Sequence, residues 1–297
     1  MIMLQMSGGL GNQMFFYALY KALRQEGKDV CIEEFTHYGD IGRNDNCLED
    51  IFTLHYHRGS REEYNRLTDS SMQLCKRLRR KLFGRKDKVY KEKDAIVFEP
   101  EIFAQNDCYA EGYWQSQHYF EKVKGELRKD FTFDWSHFPS KAQEYRKQME
   151  QTVSVSLHIR RGDYLNEKFA PIYGGICTDT YYESAKTYIK EKYPNCVFYL
   201  FTNDAEWGRS QVSADVVFVD CTDPHNAYVD MALMSCCKHN IIANSSFSWW
   251  GAWLNPNPEK TVIAPAKWLN TSDGQDIYCG LCNVKIDAGG AVTQENT

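Results

Sequence analysis

Two arginines, Arg160 and Arg161, stand side by side in the stretch HIRRGDY at positions 158–164. A guanidinium is planar, offers a fork of donors that matches a phosphate two bonds at a time, and keeps its charge. Two of them in succession are costly to place together unless an anion holds them, so the pair points to a phosphate-bearing ligand. Asp163 adds a carboxylate able to take a proton or to brace either arginine. Glu167, a few residues on, is a second candidate for the base. Taken without its neighbours, the stretch is equally compatible with a solvated surface turn. Arg161-Gly162-Asp163 also spells an integrin-type adhesion tripeptide, a match that is common by chance.

A strand must deliver these groups. Val153, Val155 and Leu157 alternate with Ser154, Ser156 and His158 at the period of two that a sheet requires, and the chain turns at Gly162. In open α/β sheets, ligands sit beyond the carboxyl ends of strands. Two further predicted strands end in polar groups: 196–202 runs into Asn203-Asp204, and 240–243 runs into Asn244-Ser245-Ser246. Ser245 and Ser246 open the helix SFSWWGAWL, where hydroxyls and first-turn N–H groups favour an anion. Phe247 beside them could stack on a flat ring. Asp230, among Met231, Ala232, Leu233 and Met234, could accept from a ring N–H and an exocyclic amine, as guanine presents. It is equally readable as an ordinary exposed helical acid.

Strands 153–159, 196–202, 216–219, 240–243 and 261–264 alternate with helical stretches, which predicts a parallel sheet covered on both faces. A capping box from Thr180 to Glu183 is expected to open a helix over 181–193. Asp223-Pro224 is expected to open the helix carrying Asp230.

The first half begins as a βαβ unit: strand 2–6, the loop SGGLGNQ, helix 14–26 closed by Gly27, and strand 29–33. Gly9 and Gly11 match the first two glycines of a nicotinamide-dinucleotide motif, and Glu33 or Glu34 lies near the ribose-binding distance. Met14 occupies the third glycine's position, and Asn12 and Gln13 suit hydrogen bonding to a polar ligand instead. Residues 35–70 read as irregular. From Lys76 to Lys93 ten basic residues face two acids, with Leu74, Leu78 and Leu82 at helical spacing. That is a basic amphipathic helix, either solvated and packed by its leucines or attracted to an anionic membrane surface. YAEGYW at 109–114 precedes a predicted helix over 116–129. The boundary between two domains, 1–150 and 151–297, is placed in the polar helix 140–151.

A net charge of −5 argues against a general nucleic-acid binder. Eleven cysteines scattered through the chain read as reduced thiols rather than a disulfide framework. The single Cys279-x-x-Cys282 lacks a second pair at zinc spacing. MIMLQM is too short for a signal-peptide core, and no stretch approaches a membrane span. Trp249, Trp250 and Trp253 are spaced for core packing as much as for sugar stacking, so a non-catalytic sugar-binding module remains a competing class.

Four motifs taken in order carry a specific resemblance. GGLGNQMFFYAL (8–19), HIRRGDY (158–164), FTND (201–204) and ANSSFSWWGAWL (243–254) are similar to the α-1,2-fucosyltransferases of glycosyltransferase family eleven. The resemblance implies a GT-B-like α/β fold, two Rossmann-like domains with parallel sheets facing across a cleft. The N-terminal domain would be acceptor-side and the C-terminal one GDP-fucose-binding. It implies inverting transfer of L-fucose from GDP-β-L-fucose to the 2-hydroxyl of a galactoside, either an oligosaccharide or a lipid-linked glycan. Arg160 would hold the β-phosphate, with Arg161 adding charge or positioning the loop, and Asp163 would be base or brace. His158 and Asp230 would address the guanosine, with Asp204, Asn244, Ser245, Ser246 and Phe247 completing the donor side. Gly9, Gly11, Asn12 and Gln13 would face the sugar and acceptor. No metal or cofactor is expected, since Asp40, Asp45 and Asp50 form no Asp-x-Asp site. Eukaryotic members carry an N-terminal membrane anchor, whereas this chain begins at its first strand. The expectation is therefore a bacterial cytoplasmic enzyme, with peripheral membrane contact through the basic helix 76–93.

Overall fold

The computed structural model describes residues 1–38, 48–161, 167, 169–222 and 226–295. The chain divides into two compact units, Met1–Asp130 and Phe131–Thr297. The division falls twenty residues before the expected 150/151 boundary, for a packing reason. Helix 140–151 buries Ala142, Tyr145 and Met149 against Val229, Ala232 and Leu233, all in the second unit. The Phe131 ring meets Trp250 at 5.3 Å, which fixes the start of that unit.

In the first unit the described elements are β1 (Ile2–Gln5), α1 (Leu10–Gln25), β2 (Val30–Glu33), α2 (Phe35–Tyr38), α3 (Leu48–Phe52), α4 (Arg61–Leu67), α5 (Leu74–Phe83), β3 (Val89–Lys91), β4 (Cys108–Glu111) and α6 (Lys124–Asp130). The strands form a parallel sheet in the order β2-β1-β4-β3. Helix α1 buries Met14, Phe15, Ala18, Leu19, Ala22 and Leu23. It closes on Gly27 in the left-handed region, φ +76°, with Lys28 N–H donating to Leu23 O at 3.0 Å. That is the six-to-one bond of a glycine-terminated helix. Among its described residues, the segment expected to be irregular contains three short helices, and α4 opens with a Ser60–Glu63 capping box. The basic helix is shorter than expected: Gly84, φ +75°, stops it, and Val89–Lys91 pair with β4. The expected helix 116–129 is split into two single 3₁₀ turns before α6.

The second unit continues with α7 (Ser140–Gln151), β5 (Val153–Ile159), α8 (Ala170–Tyr173), α9 (Asp179–Lys192), β6 (Cys196–Thr202), α10 (Ala205–Ser210), β7 (Val216–Phe218), α11 (Tyr228–Cys236), β8 (His239–Ile241), α12 (Ser246–Leu254), β9 (Val262–Pro265), β10 (Val284–Ile286) and β11 (Val292–Glu295). The sheet order is β11-β10-β9-β8-β5-β6-β7, parallel except for the β10–β11 hairpin. Helix α9 starts two residues earlier than expected. Its cap is Thr178, whose hydroxyl accepts from Tyr181 N–H at 3.1 Å, rather than Thr180. Asp223-Pro224 lies outside the described residues.

The alternation of β5 sorts the core. Val155 and Leu157 pack with Tyr181, Ala185 and Ile189 of α9. Ser154 and Ser156 turn to the other face, where Ser154 Oγ donates to Met149 O of α7 and Ser156 Oγ accepts from Asn240. Trp249, Trp250 and Trp253 are buried, and Trp249 Nε1 donates to Ile277 O at 2.7 Å, so their role is packing.

A buried amide network ties the sheet to its helices. Asn240 Nδ2 donates to Ser156 Oγ at 2.7 Å and to Met234 O at 2.9 Å. Asn255 Nδ2 donates to Asn240 Oδ1 at 2.8 Å and to Cys237 O at 2.7 Å. Asn240→Ala leaves several of these dry groups without partners. It is expected to lower unfolding free energy by about 2–4 kcal/mol, measured by denaturant titration.

Candidate functional site

Strands β8, β5 and β6 are parallel neighbours, so their carboxyl ends lie side by side on one edge of the second sheet. Each leads into one of the polar segments: Asn244-Ser245-Ser246, Arg160-Arg161 and Asn203-Asp204 respectively.

At the end of β5, His158 is buried and shares a face with Ser156. Its carbonyl accepts from Tyr182 Oη at 3.2 Å. Its ring lies 5.9 Å from Phe247, and Nδ1 is buried with no hydrogen-bond partner among the described residues. Burial, reinforced by the charge of Arg160, lowers its pKa to about 3. The imidazole is therefore neutral at physiological pH, with a polar atom to offer a ligand.

Arg161 faces the other way. Its guanidinium stacks over Trp207 of α10 at 4.6 Å and pairs with Asp204, Nε to Oδ2, at 3.3 Å. Asn203 clamps the backbone of the same residue, accepting from Arg161 N–H at 2.8 Å and donating to Arg161 O at 2.7 Å. Asp204 also caps α10, taking Trp207 N–H on Oδ1 at 3.0 Å. Arg161, Trp207 and Tyr182 line a cavity of about 380 Å³ between α9 and α10. Arg160 acts electrostatically on His158, and Arg161 is compensated by Asp204. Asp163 and Gly162 lie outside the described residues. Glu167 is exposed.

Next to them, Ser245 caps α12 and its hydroxyl accepts from Phe247 N–H at 3.4 Å. Ser246 is the first residue of that helix and is partly buried. The amide of Asn244 is committed to the fold, donating to Trp268 O at 3.1 Å and Tyr173 O at 3.3 Å. Its position is structural, holding α8 beside the strand end. Asp230, in the first turn of α11, is shielded at Oδ1 without a partner among the described residues. Burial raises its pKa to about 7, opposed by a hydrogen bond from Thr222. It is not an exposed helical acid.

In the first unit the glycine loop behaves differently. Gly8 takes φ +78°, and a Cβ there would meet Asn12 Nδ2 at 2.3 Å. Gly9 caps α1, with Gly11, Asn12 and Gln13 in its first turn. Gln13 Nε2 donates to Gly8 O at 3.3 Å, and Asn12 Oδ1 accepts from Gln115 Nε2 at 2.9 Å. These two amides therefore shape the loop. Glu33 accepts from Tyr109 Oη at 2.6 Å and Thr36 N–H at 3.1 Å, and Glu34 accepts from Tyr56. Both acids are committed to protein partners, which argues against the dinucleotide reading.

Asn203 in its clamping role, Tyr182, Trp207 and Thr222 are additional site-shaping residues. Trp207 was findable, three residues beyond Asp204. Tyr182 and Thr222 carry no signal short of the tertiary fold.

One edge of the second unit thus gathers a guanidinium beside a neutral imidazole, a serine-capped helix start, an aromatic ring and a shielded acid. Such a set can hold an anionic ligand with a hydrogen-bonding ring. A sequence model of the family described as Glycosyl transferase family 11 matches residues 90–278, well over half of the chain. An alpha-1,2-colitosyltransferase of Escherichia coli is 40% identical over 168 residues, 54% of this chain and 56% of that protein. The O-antigen biosynthesis glycosyltransferase WbnK of Escherichia coli is 40% identical over 122 residues, 40% of each chain. The galactoside alpha-(1,2)-fucosyltransferase 1 of Ateles belzebuth is 28% identical over 146 residues, 46% of this chain and 40% of that protein. The chain spans about half the length, or less, of these curated relatives. Among solved structures, the fucosyltransferase NodZ from Bradyrhizobium aligns with a TM-score of 0.50 at 12% identity, covering 100% of this chain and 99% of that one. That likeness is one of fold, the GT-B class of two Rossmann-like α/β domains.

The environment of Asp230 has a measurable signature. An acid whose folded pKa is raised stabilises the fold only while protonated, so its contribution is lost as pH rises from the ordinary value of 3.8 through about 7. Asp230→Asn cannot ionise. Its stability relative to the parent is expected to increase across that window and level off above it. His158 and His239, both with lowered pKa, act in the opposite direction in both proteins and cancel in the difference. Thermal melting at several pH values checks this.

Proposed function

The chain belongs to glycosyl transferase family 11, and from that premise we propose that it moves L-fucose from GDP-β-L-fucose to the 2-hydroxyl of a galactoside, inverting the anomeric centre. The observation that carries the reading is the placing of Arg160 two residues after buried His158 at the end of β5, beside the serine-capped start of α12. Arg160 is assigned the β-phosphate. As the acceptor oxygen forms its bond to fucose C1, the bond from C1 to the phosphate oxygen breaks and negative charge collects on departing GDP. A guanidinium aimed there stabilises the transition state more than the ground state. The acceptor proton passes to a base, for which Asp163 and Glu167 are the candidates. Asp230 is assigned to guanine, and Arg161 to holding the loop through Asn203, Asp204 and Trp207. The glycine loop at Gly9–Gln13 is assigned to the acceptor side. Cytoplasmic residence, with a free or lipid-linked glycan as acceptor, belongs to the same reading.

The 40% identity to a protein named alpha-1,2-colitosyltransferase favours one second reading, transfer of colitose in place of fucose. Colitose lacks the hydroxyl that fucose carries at carbon 3. The two readings are separated by direct competition of GDP-fucose with GDP-colitose over a panel of galactosides, followed by linkage analysis of the product.

Arg160→Lys is expected to lose about 100-fold in turnover, because a point charge cannot reproduce the bidentate fork. Near-normal turnover would place the phosphate contact elsewhere. Activity is expected to persist in EDTA, and loss restored only by a divalent ion would overturn the metal-free scheme. Because the guanine-accepting form of Asp230 is the carboxylate, GDP affinity is expected to fall about tenfold per pH unit below 7, by calorimetric titration. In Asp230→Asn that pH dependence should disappear and affinity at pH 8 should drop.

A further inference from the structure

Helix α5 presents its apolar residues to solvent. At 3.6 residues per turn, Leu74, Leu78 and Leu82 fall on one face, and they are 71, 53 and 74% exposed. Met72 and Phe83 at its two ends are 75 and 72% exposed. The helix is anchored by the opposite side. Arg80 donates through Nη2 to Ser71 O at 2.7 Å and pairs with Asp69, which also binds Arg79 and accepts from Lys86 N–H at 3.0 Å. Asp69 itself sits at φ +52°, in the left-handed region, among these partners. The leucine stripe therefore points away from the body of the unit because its polar side is tied down. A stripe meant for the core would be found turned inward.

Charge tells what such a face would meet. No acid occurs from Leu74 to Lys86, while Lys76, Arg77, Lys81, Arg85 and Lys86 are all exposed, Arg77 and Lys81 beside the stripe by helical spacing and Arg85 and Lys86 just past the end of the helix. An apolar ridge bordered by cations on a short helix is the arrangement that lies in a bilayer interface, with side-chain carbons among acyl chains and ammonium or guanidinium groups at lipid phosphates. A protein partner with an acidic groove would need only the charges, and a self-contact would bring like charges together. We propose that α5 docks this protein onto an anionic membrane surface, its leucine face inserted and its basic residues on the headgroups. The inference adds a location to the acceptor reading above, and its test does not depend on transfer activity.

The experiment is flotation of the full chain with vesicles of phosphatidylcholine, alone or containing phosphatidylglycerol. Anionic vesicles are expected to capture about tenfold or more protein than neutral ones, with high salt reducing capture. Leu78→Glu combined with Leu82→Glu should abolish capture while leaving the melting temperature unchanged, since both positions are exposed. Equal capture by both vesicle types, undiminished capture of the double variant, or a dimer dissociated by the double substitution without vesicle binding would each overturn the proposal. Transfer to a soluble galactoside, assayed without vesicles, should be the same in parent and double variant. Absence of transfer in both would count against the donor reading alone.

Discussion

A strand changes face at every residue, and the site depends on that alternation continuing past the end of β5. His158 lies on the face of α11 and α12, and Arg161, two peptide bonds beyond Ile159, reaches the face of α9 and α10. Arg160 and Arg161 thereby continue opposite faces of the strand. One is neutralised by Asp204 and stacked on Trp207. The other stands beside an imidazole that burial keeps uncharged. Sheet order then adds the rest, because β8 and β6 flank β5 and bring their own carboxyl ends to the same edge.

The periodic elements were readable from the chain. β5 has the bounds that its alternation predicts, β6 has the bounds expected of it, and α1 closes on the glycine that its cap requires. Readings that relied on side-chain chemistry alone were less secure. Thr180 and Glu183 have the right spacing for a capping box, yet Thr178 wins the cap because the helix begins two residues earlier. Asn244 looks like a ligand residue by its company with two serines, but its amide is spent on Trp268 and Tyr173 carbonyls. Leu74, Leu78 and Leu82 have helical spacing. Spacing states only that they share a face, and which way that face turns is decided by Asp69 and Ser71 through Arg79 and Arg80.

Buried polar groups of the scaffold and two of those at the site differ in how they are matched. Glu33, Asn240 and Asn255 are dry and matched by protein partners, as stability demands. His158 Nδ1 and Asp230 Oδ1 are dry and unmatched among the described residues. Leaving such atoms unmatched costs free energy, which a ligand carrying complementary donors and acceptors would recover.

The amide network around Asn240 has a consequence for motion. Its four bonds connect β5, β8 and the carboxyl ends of α11 and α12, so none of these can fluctuate open without breaking contacts to the others. Amide protons of β5 and β8 should accordingly exchange with solvent only through whole-domain opening, and in a single cooperative group. The floor beneath the strand ends is thus among the slowest-opening parts of the second unit. The floor then changes little when a ligand arrives.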